Sequence, residues 1–216
     1  MRGDVDSSGA GGLGLHNTDA RSAGMLAAVG GRWNGIVDGR QESVPGTSVA
    51  QTIVQTDGAL QRSVDAEAVF KMFMGTGSAR YKEHPALRKL SCDGDCTTAL
   101  ENAYKAGKRI VWVDGTLDIG SNKVLGTVGD PMVIVASGKV TLAGPFQLNG
   151  MLVTLGDLDW NNAGAAPSVI NGIVLVGGAM RTEGRMDIVY QQLVADNLRN
   201  RMGSYVRVPG AWVDNR

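Results

Sequence analysis

The residues most able to do chemistry in this sequence are Cys92 and Cys96, the only two cysteines in a chain of 216 residues. They stand in the segment "SCDGDC", separated by Asp93, Gly94 and Asp95. Two thiols this close together are compatible with a disulfide, with half of a metal site or with a redox pair. The alternatives imply different cellular compartments, so the state of this pair bears on function.

The surrounding residues favour a disulfide without excluding the other two states. A structural zinc site needs four ligands, and His16 and His84 do not have the spacing of paired zinc ligands. Neighbouring carboxylates disfavour the thiolate on which redox chemistry depends. Asp and Gly are typical turn residues, so a small closed loop is the best interpretation, with free thiols or a metal or redox role still open. A disulfide would predict an oxidising compartment.

Two pairs of carboxylates are the other candidates for chemistry. Asp157 and Asp159 alternate along a predicted strand, with Trp160 beside them as a candidate sugar platform, and Asp114 and Asp118 lie on another strand. A glycosidase needs two carboxylates about 5–10 Å apart, but the sequence positions no His or Arg to complete such a site. We therefore interpret these carboxylates as solvated surface. No phosphate-binding loop and no nucleophile elbow is present, and we predict no enzyme activity, no metal and no cofactor.

Composition excludes several classes of partner. Lys and Arg number 21, as do Asp and Glu, and hydrophobic residues make up 43% of the chain. A balanced charge argues against broad nucleic-acid binding, which needs a concentrated basic surface. No apolar run is long enough to span a bilayer. The unusual feature is 31 glycines, which predict many tight corners together with a flexible segment.

The sequence divides into three predicted regions. Residues 1–19 are Gly/Ser-rich and predict a flexible arm. Residues 20–108 predict a helical or mixed region that contains the Cys92–Cys96 loop, with a short helix around 19–29 and a strand near Ile53. Longer helices are predicted from Asp65 to Met74 and just after Cys96.

Residues 109–216 predict a β domain built from a repeat. Four segments, 110–120, 133–144, 151–161 and 173–184, each contain a short apolar run, a glycine and a second run with alternating apolar residues. The repeat predicts a mainly β fold, a short right-handed parallel β-helix (a solenoid) that follows a small α-helical N-terminal region. Asn149–Gly150 and Asn171–Gly172 would form matching corners, and a C-terminal helix at 190–202 would cap the stack. An antiparallel meander with Asn-Gly hairpin turns remains the alternative.

Residues 66–216 resemble the PilX-type pilus assembly proteins, accessory or minor pilins of bacterial type IV pili. The resemblance rests on an ordered set of segments: "CDGDC", "RIVWVDGTLDIG", "PMVIVASGKVTLAGPFQLNGMLV", "INGIVLVGGAMRTEG", "DIVY" and the tail "SYVRVPGAWVD". Ala211 and Val213 stand where Ser and Arg are expected in the tail, and the apolar N-terminal helix of that family is missing here.

The resemblance implies a non-enzymatic protein that takes part in pilus assembly, and in adhesion or cell–cell contact. Its expected partners are other pilins and pilus assembly proteins, with membrane contact only through an N-terminal helix that this chain lacks. The expected location is the periplasm or cell surface, anchored to the inner membrane in the full-length form. Trp160 and Trp212 are candidate partner surfaces, although Val206, Val208 and Trp212 around Pro209–Gly210 would equally form an apolar cap.

Two other functions remain open from the sequence. A carbohydrate-binding or polysaccharide-degrading β-helix protein would require three or more acidic and aromatic side chains along one groove. A bactofilin-like scaffold that polymerises end to end would have reduced cysteines and uncapped ends.

Overall fold

The computed structural model describes residues 1–9, 11–36, 39–120, 123–166 and 168–202. The strands are β1 Val5–Asp6, β2 Leu13–His16, β3 Ala27–Ala28, β4 Trp33–Asn34, β5 Gln41–Glu42, β6 Ile53–Val54, β7 Leu87–Leu90, β8 Ile110–Val113, β9 Leu117–Ile119, β10 Lys123–Leu125, β11 Met132–Ala136, β12 Val140–Ala143, β13 Phe146–Thr154, β14 Leu158–Asn162, β15 Ser168–Val176, β16 Met180–Gly184 and β17 Met186–Val189. The α-helices are α1 Val49–Thr52, α2 Gly58–Arg62, α3 Ala66–Met74, α4 Ser78–Tyr81, α5 Thr97–Lys105 and α6 Gln192–Met202.

The strands form three sheets in which the described pairings are parallel. The six-stranded sheet has the order β4-β1-β16-β14-β12-β9. The nine-stranded sheet has the order β5-β2-β17-β15-β13-β11-β8-β7, and β10 pairs with β13 beside this path. The third sheet contains only β3 and β6.

From β11 to β17 the chain alternates between the two larger sheets. Each strand pairs with the equivalent strand of the next repeat: Val140 pairs with Leu158, which pairs with Met180. The predicted equivalence of the two Asn-Gly steps is confirmed, since Asn149 pairs with Asn171 and Gly150 with Gly172. Both steps lie within nine-residue strands, so they form neither the predicted corners nor hairpin turns. The antiparallel meander is therefore wrong.

The main core lies between the two larger sheets. Alternate residues of the six-stranded sheet, such as Leu142, Leu158 and Met180, are fully buried there. Their neighbours Thr141, Asp159 and Arg181 fall on the other face, because successive side chains of a strand point to opposite sides.

The nine-stranded sheet is also covered on its outer face. Trp112 and Val135 are completely buried there, in a second cluster that includes residues of α3, α4 and α6. Phe70 of α3 contacts Trp112 edge-on, with 6.1 Å between ring centroids. A strand that is buried on both faces has a continuously apolar sequence, which explains the segments "IVWV" of β8 and "MVIVA" of β11.

The N-terminal segment differs from the predicted flexible arm. β1 pairs with β16 and β2 pairs with β17, so residues near the start of the chain extend both sheets beyond the last repeat. Val5 and Leu13 are buried in the main core. The high glycine content that predicted flexibility instead permits close stacking, since the N–H of Gly3 donates to the carbonyl of Gly178 at 2.8 Å.

The glycines aligned in the repeat form a stacked column. Gly138 donates its N–H to Gly115 at 2.8 Å, and Gly178 donates to Gly156 at 2.9 Å. A Cβ added at Gly156 would lie only 2.7 Å from the backbone of Gly138. The predicted equivalence of these glycines is therefore confirmed, and close backbone approach is its physical reason.

The expected fold class is wrong. The molecule is mixed α/β, with sheets of six, nine and two strands and about 22% helix, and neither large sheet closes on itself or forms a solenoid. Alternation of apolar residues fixes which side chains face inward, but not how many separate sheets share the core. The apolar outer face of the nine-stranded sheet is covered by helices, whereas the mainly β interpretation placed the helices ahead of the β domain and at its end.

Local predictions in the helical region have mixed outcomes. The helix after Asp65 is confirmed as α3, with the Asp65 carboxylate accepting from the N–H of Ala68 at 2.8 Å. The helix after Cys96 is α5, and the strand near Ile53 is β6. The helix predicted around 19–29 is wrong, because this stretch forms a short 3₁₀ turn and β3.

The helices α5 and α6 pack against different parts of the molecule. The helix at 190–202 exists as α6, but it packs on the face of the nine-stranded sheet, against β15 and β13. α5 reaches the main core instead, where Leu100 is completely buried. Among the described residues, no helix combines the length and apolar character that crossing a bilayer requires.

Candidate functional site

The structure joins Cys92 and Cys96 in a disulfide, with 5.6 Å between their Cα atoms. Cys96 is completely buried, and its N–H donates to the carbonyl of Asp118 in β9 at 2.8 Å. The closed loop therefore ties the start of α5 to the edge of the six-stranded sheet.

Asp95 is the polar anchor of this loop. Its carboxylate accepts hydrogen bonds from the N–H of Thr97 at 2.9 Å, from the N–H of Gly120 at 3.2 Å and from the Thr97 hydroxyl. The hydrogen bonds from Thr97, the side-chain one first, hold the pKa of Asp95 below its usual value. The loop therefore has a structural role, because the hydrogen bonds of Asp95 connect it to the start of α5 and to the residue after β9.

The carboxylates considered for catalysis are held by separate partners. Asp157 accepts from the N–H of Ala179 at 2.7 Å, and Asp159 pairs with Lys139 at 2.5 Å. Asp114 accepts from Lys82 at 2.6 Å, and this bond and a weaker one from Trp112 lower its pKa. The described geometry does not gather these residues into one catalytic pair.

Of the two tryptophans proposed as partner surfaces, only Trp160 lies in the described part of the chain, and it is buried. Trp160 is only 1% exposed, and its indole N–H donates to the hydroxyl of Ser168 at 2.8 Å inside the core. The sequence placed it among outward polar residues, but the strand register turns it inward beside Leu142. Trp212 lies outside the described residues.

A polar cleft of about 370 Å³ lies on the outer face of the six-stranded sheet. Asp6, Arg181 and Asp159 stand in register on three neighbouring strands, and Glu183 and Asn161 line the same cleft. Strands two apart in a sheet are separated by about 10 Å, and Arg181 stands between the two aspartates. This arrangement offers hydrogen-bond donors and acceptors to a polar ligand.

A histidine cluster joins the N-terminal segment to β17. The His16 ring lies 3.1 Å from Asp187 through Nε2 and 3.3 Å from Glu42 through Nδ1. Arg40 also contacts Asp187 at 3.0 Å and donates to the carbonyl of Met186 at 2.8 Å. These four side chains therefore connect β5, β2 and β17 across the sheet.

Sequence reasoning missed this cluster because its members are far apart in the chain. His16 was assigned to a flexible arm, and Asp187 belongs to the segment "DIVY", which was quoted for the family resemblance and was not predicted to be a strand. No local spacing signals a contact between residues 16 and 187. The parallel pairing of β2 with β17, which aligns Gly14 with Asp187, creates it.

An apolar groove of about 540 Å³ lies on the outer side of the nine-stranded sheet. Residues of the N-terminal segment between Met1 and Ala28 make up the largest part of its lining, and α2, α3, β15 and β17 supply most of the rest. The lining also includes Tyr190. The apolar side chains contributed by α3 and β15 include Val69, Met72, Phe73, Ile173 and Leu175.

The rim of the apolar groove exposes large apolar side chains. Met72 is 57% exposed and Phe73 is 48% exposed, although α3 buries Val69 and Phe70 completely or nearly so. Phe73 follows Phe70 by one turn of α3, at the exposed margin of the helix face that buries Phe70. Contiguous exposed apolar surface of this kind marks an interaction site more often than an ordinary surface does.

The described residues contain no group of three or more His, Cys, Asp or Glu side chains placed to hold a metal ion. The candidate sites are the apolar groove, the polar cleft and the end of the molecule closed by the disulfide loop. Comparison with family models, with characterised proteins and with solved structures finds no match for this chain.

Proposed function

We propose that this chain is a non-enzymatic, extracytoplasmic binding and assembly domain, associated with a type IV pilus in the manner of a minor pilin. The observation that carries the proposal is the disulfide between Cys92 and Cys96. Disulfides persist in oxidising compartments such as the periplasm and are rare in the cytosol.

The position of the disulfide strengthens this argument. Cys96 is completely buried and its backbone is bonded to β9, and Cys92 is partly buried against the main core, so the disulfide is packed into the fold. Reactive cysteines are instead accessible and lie in electropositive surroundings. The pair therefore acts as a covalent brace, which suits a protein exposed outside the cell.

The resemblance to PilX-type proteins supplies the pilus part of the proposal. Its quoted segments correspond to β8–β9, β11–β13, β15–β16 and β17, which are neighbours in the two large sheets. A bactofilin-like scaffold is less well supported, because that alternative expects reduced cysteines. The proposed partners are other pilins and pilus assembly proteins.

The first experiment tests the compartment and the thiol state together. The tagged full-length protein is expressed in its native host, and periplasmic and cytosolic fractions are treated with a maleimide–polyethylene glycol reagent before and after reduction. We expect the protein outside the cytosol, with both thiols reacting only after reduction. A cytosolic protein with two reactive thiols would rule out the proposal.

The second experiment tests the pilus directly. We expect deletion of the gene to reduce the number of surface pili or twitching motility, and the wild-type gene to restore both. The tagged protein should also be present in sheared pili or in isolated pilus assembly complexes. Normal piliation and motility in the deletion strain, with no association, would contradict the pilus assignment while leaving the compartment result standing.

The polar cleft favours a second candidate, binding of a polysaccharide without its hydrolysis. Asp6, Asp159 and Glu183 supply the acidic side chains along one groove, and Arg181 and Asn161 add donors. No aromatic ring stacks in the cleft, because Trp160 is buried. Glycan-array binding that is lost in Arg181→Ala and kept in Lys82→Ala would support this candidate, and absence of any glycan binding would end it.

A further inference from the structure

Another cleft, of about 500 Å³, lies on the nine-stranded sheet where β15, β17, β2 and β5 run side by side. We call it the Tyr190 cleft. Its charged and aromatic lining consists of His16, Arg40, Glu42, Arg185, Asp187 and Tyr190. Val169 and Val189 add apolar surface. A volume of this size is within the range that bound small molecules occupy in proteins.

The strand register brings these side chains to one face of the sheet. Val189 of β17 pairs with His16 of β2, which pairs with Glu42 of β5. Met186 and Leu15 of the same strands are buried in the main core. Since successive side chains of a strand point to opposite sides, Asp187 and His16 lie on the outer face together.

Both carboxylates of the Tyr190 cleft keep one oxygen for a ligand. The contacts of Asp187 with His16, at 3.1 Å, and with Arg40, at 3.0 Å, both use Oδ1. Glu42 contacts His16 through Oε2 only, and its side chain is 66% exposed. Among the described residues, the second oxygen of each carboxylate accepts no hydrogen bond. Each can therefore accept one from a bound molecule.

The cleft also supplies a cationic donor and an aromatic ring. Arg185 is exposed and forms no ion pair with a described residue. Tyr190 is half-buried, and its N–H donates to the carbonyl of His16 at 2.7 Å, which fixes its backbone beside β2. An aromatic side chain at such a place offers an apolar ring surface with a polar end.

This combination of groups matches a sugar better than an ion. The two arginines of the Tyr190 cleft balance its two carboxylates, so the lining favours neither an anion nor a cation. A sugar hydroxyl both donates and accepts, and it can therefore bond a carboxylate and a guanidinium at once. The C–H face of a pyranose ring can pack on the ring of Tyr190.

We infer that the Tyr190 cleft binds a neutral pyranose unit. Tyr190 packs against the sugar ring, Asp187 and Glu42 accept from its hydroxyls, and Arg185 donates to them. The inference does not rest on the proposed pilus function or on the polar cleft, because it uses neither the disulfide nor a residue that lines the polar cleft.

The test is saturation-transfer difference NMR on the full chain. The probes are the methyl pyranosides of glucose, galactose, mannose and N-acetylglucosamine, each added separately. Tyr190→Leu removes the aromatic ring but keeps a large apolar side chain, and Arg185→Ala removes the exposed guanidinium. Arg181→Ala is the matched control, because it removes another exposed arginine, one that lines the polar cleft instead.

We expect at least one of the four pyranosides to bind the wild type. Its signal should fall about fivefold in Tyr190→Leu and in Arg185→Ala, the effect expected from one lost contact, and should stay unchanged in Arg181→Ala. Circular dichroism confirms that each variant is folded, and Arg185→Ala, at an exposed position, decides the test if Tyr190→Leu does not fold.

Three results would overturn the inference: no signal from any of the four pyranosides, a signal unchanged in Arg185→Ala, or a signal that falls only in Arg181→Ala. The last result would move sugar binding to the polar cleft. None of them alters the thiol and piliation experiments, so failure here is distinct from failure of the pilus proposal.

Discussion

At the scale of single residues, glycines determine how closely neighbouring strands can approach. Gly150 and Gly172 occupy equivalent positions in β13 and β15, both with a positive φ, of 153° and 148°. A Cβ at Gly172 would overlap the carbonyl oxygen of Gly150. The clash is with backbone, so no side-chain rotation relieves it.

We therefore predict that Gly172→Ala lowers the free energy of unfolding by about 3 kcal/mol, the combined effect of backbone strain and overpacking. Urea denaturation followed by circular dichroism measures the change. Gly129→Ala is the matched control, because a Cβ at Gly129 meets no atom within 4 Å. Equal stability of the two variants would contradict the close-approach argument.

At the scale of elements, the disulfide loop and α5 close one end of the six-stranded sheet. The Asp95 carboxylate receives hydrogen bonds from the first residue of α5 and from Gly120, just after β9. Its pKa in the folded protein lies below the ordinary value of 3.8 because of these bonds. The carboxylate therefore stabilises the fold above about pH 4, and this contribution is lost as the pH falls through the lowered pKa.

We predict that Asp95→Asn removes part of this pH dependence. The variant should be less stable than the wild type at pH 7, and the difference should shrink between pH 4 and pH 2. The urea concentration at the midpoint of unfolding, measured for both proteins at pH 7, 4 and 2.5, tests this prediction. Asp93→Asn is the control from the same exposed loop, and it should follow the wild type at every pH. If the stability difference between Asp95→Asn and the wild type were the same at all three pH values, the proposed effect of Asp95 ionisation on stability would be disproved.

At the scale of the whole molecule, strands near the start of the chain extend the two large sheets, which are built mainly from strands between β7 and β17. β1 and β2 extend the edge formed by β16 and β17, and β4 and β5 extend it once more. Asp187 holds this junction through His16 and Arg40. Partly buried ion pairs with several partners contribute more than exposed ones, because removing one partner leaves the others uncompensated.

We predict that Asp187→Ala loosens the N-terminal segment before the rest of the molecule. Amide hydrogen exchange should increase at least tenfold in residues 13–42, with a smaller change in β8 and β11. Asp159→Ala removes an exposed ion pair with Lys139 and should leave residues 13–42 unchanged. Uniform acceleration across all strands in Asp187→Ala would instead indicate global destabilisation and would count against a separate docking step.

Sequence reasoning recovered the local features of this protein well. It placed α3 with its Asp65 cap, the start of α5, the equivalent glycines and the inward alternation of β12 and β14. It also favoured a loop closed by Cys92 and Cys96. Each of these depends on residues within one turn or one repeat, where spacing and side-chain chemistry are sufficient.

Residue order in the chain therefore determined that the repeat segments between residues 110 and 184 became strands, and where α3 and α5 began. Tertiary structure alone decided the mixed α/β class, the inward position of Trp160 and the docking of β1, β2, β4 and β5 beyond β16 and β17. It also decided the histidine cluster and the exposure of Phe73. These features arise from contacts between residues far apart in sequence, and such contacts depend on the common core that the sheets share rather than on local preference.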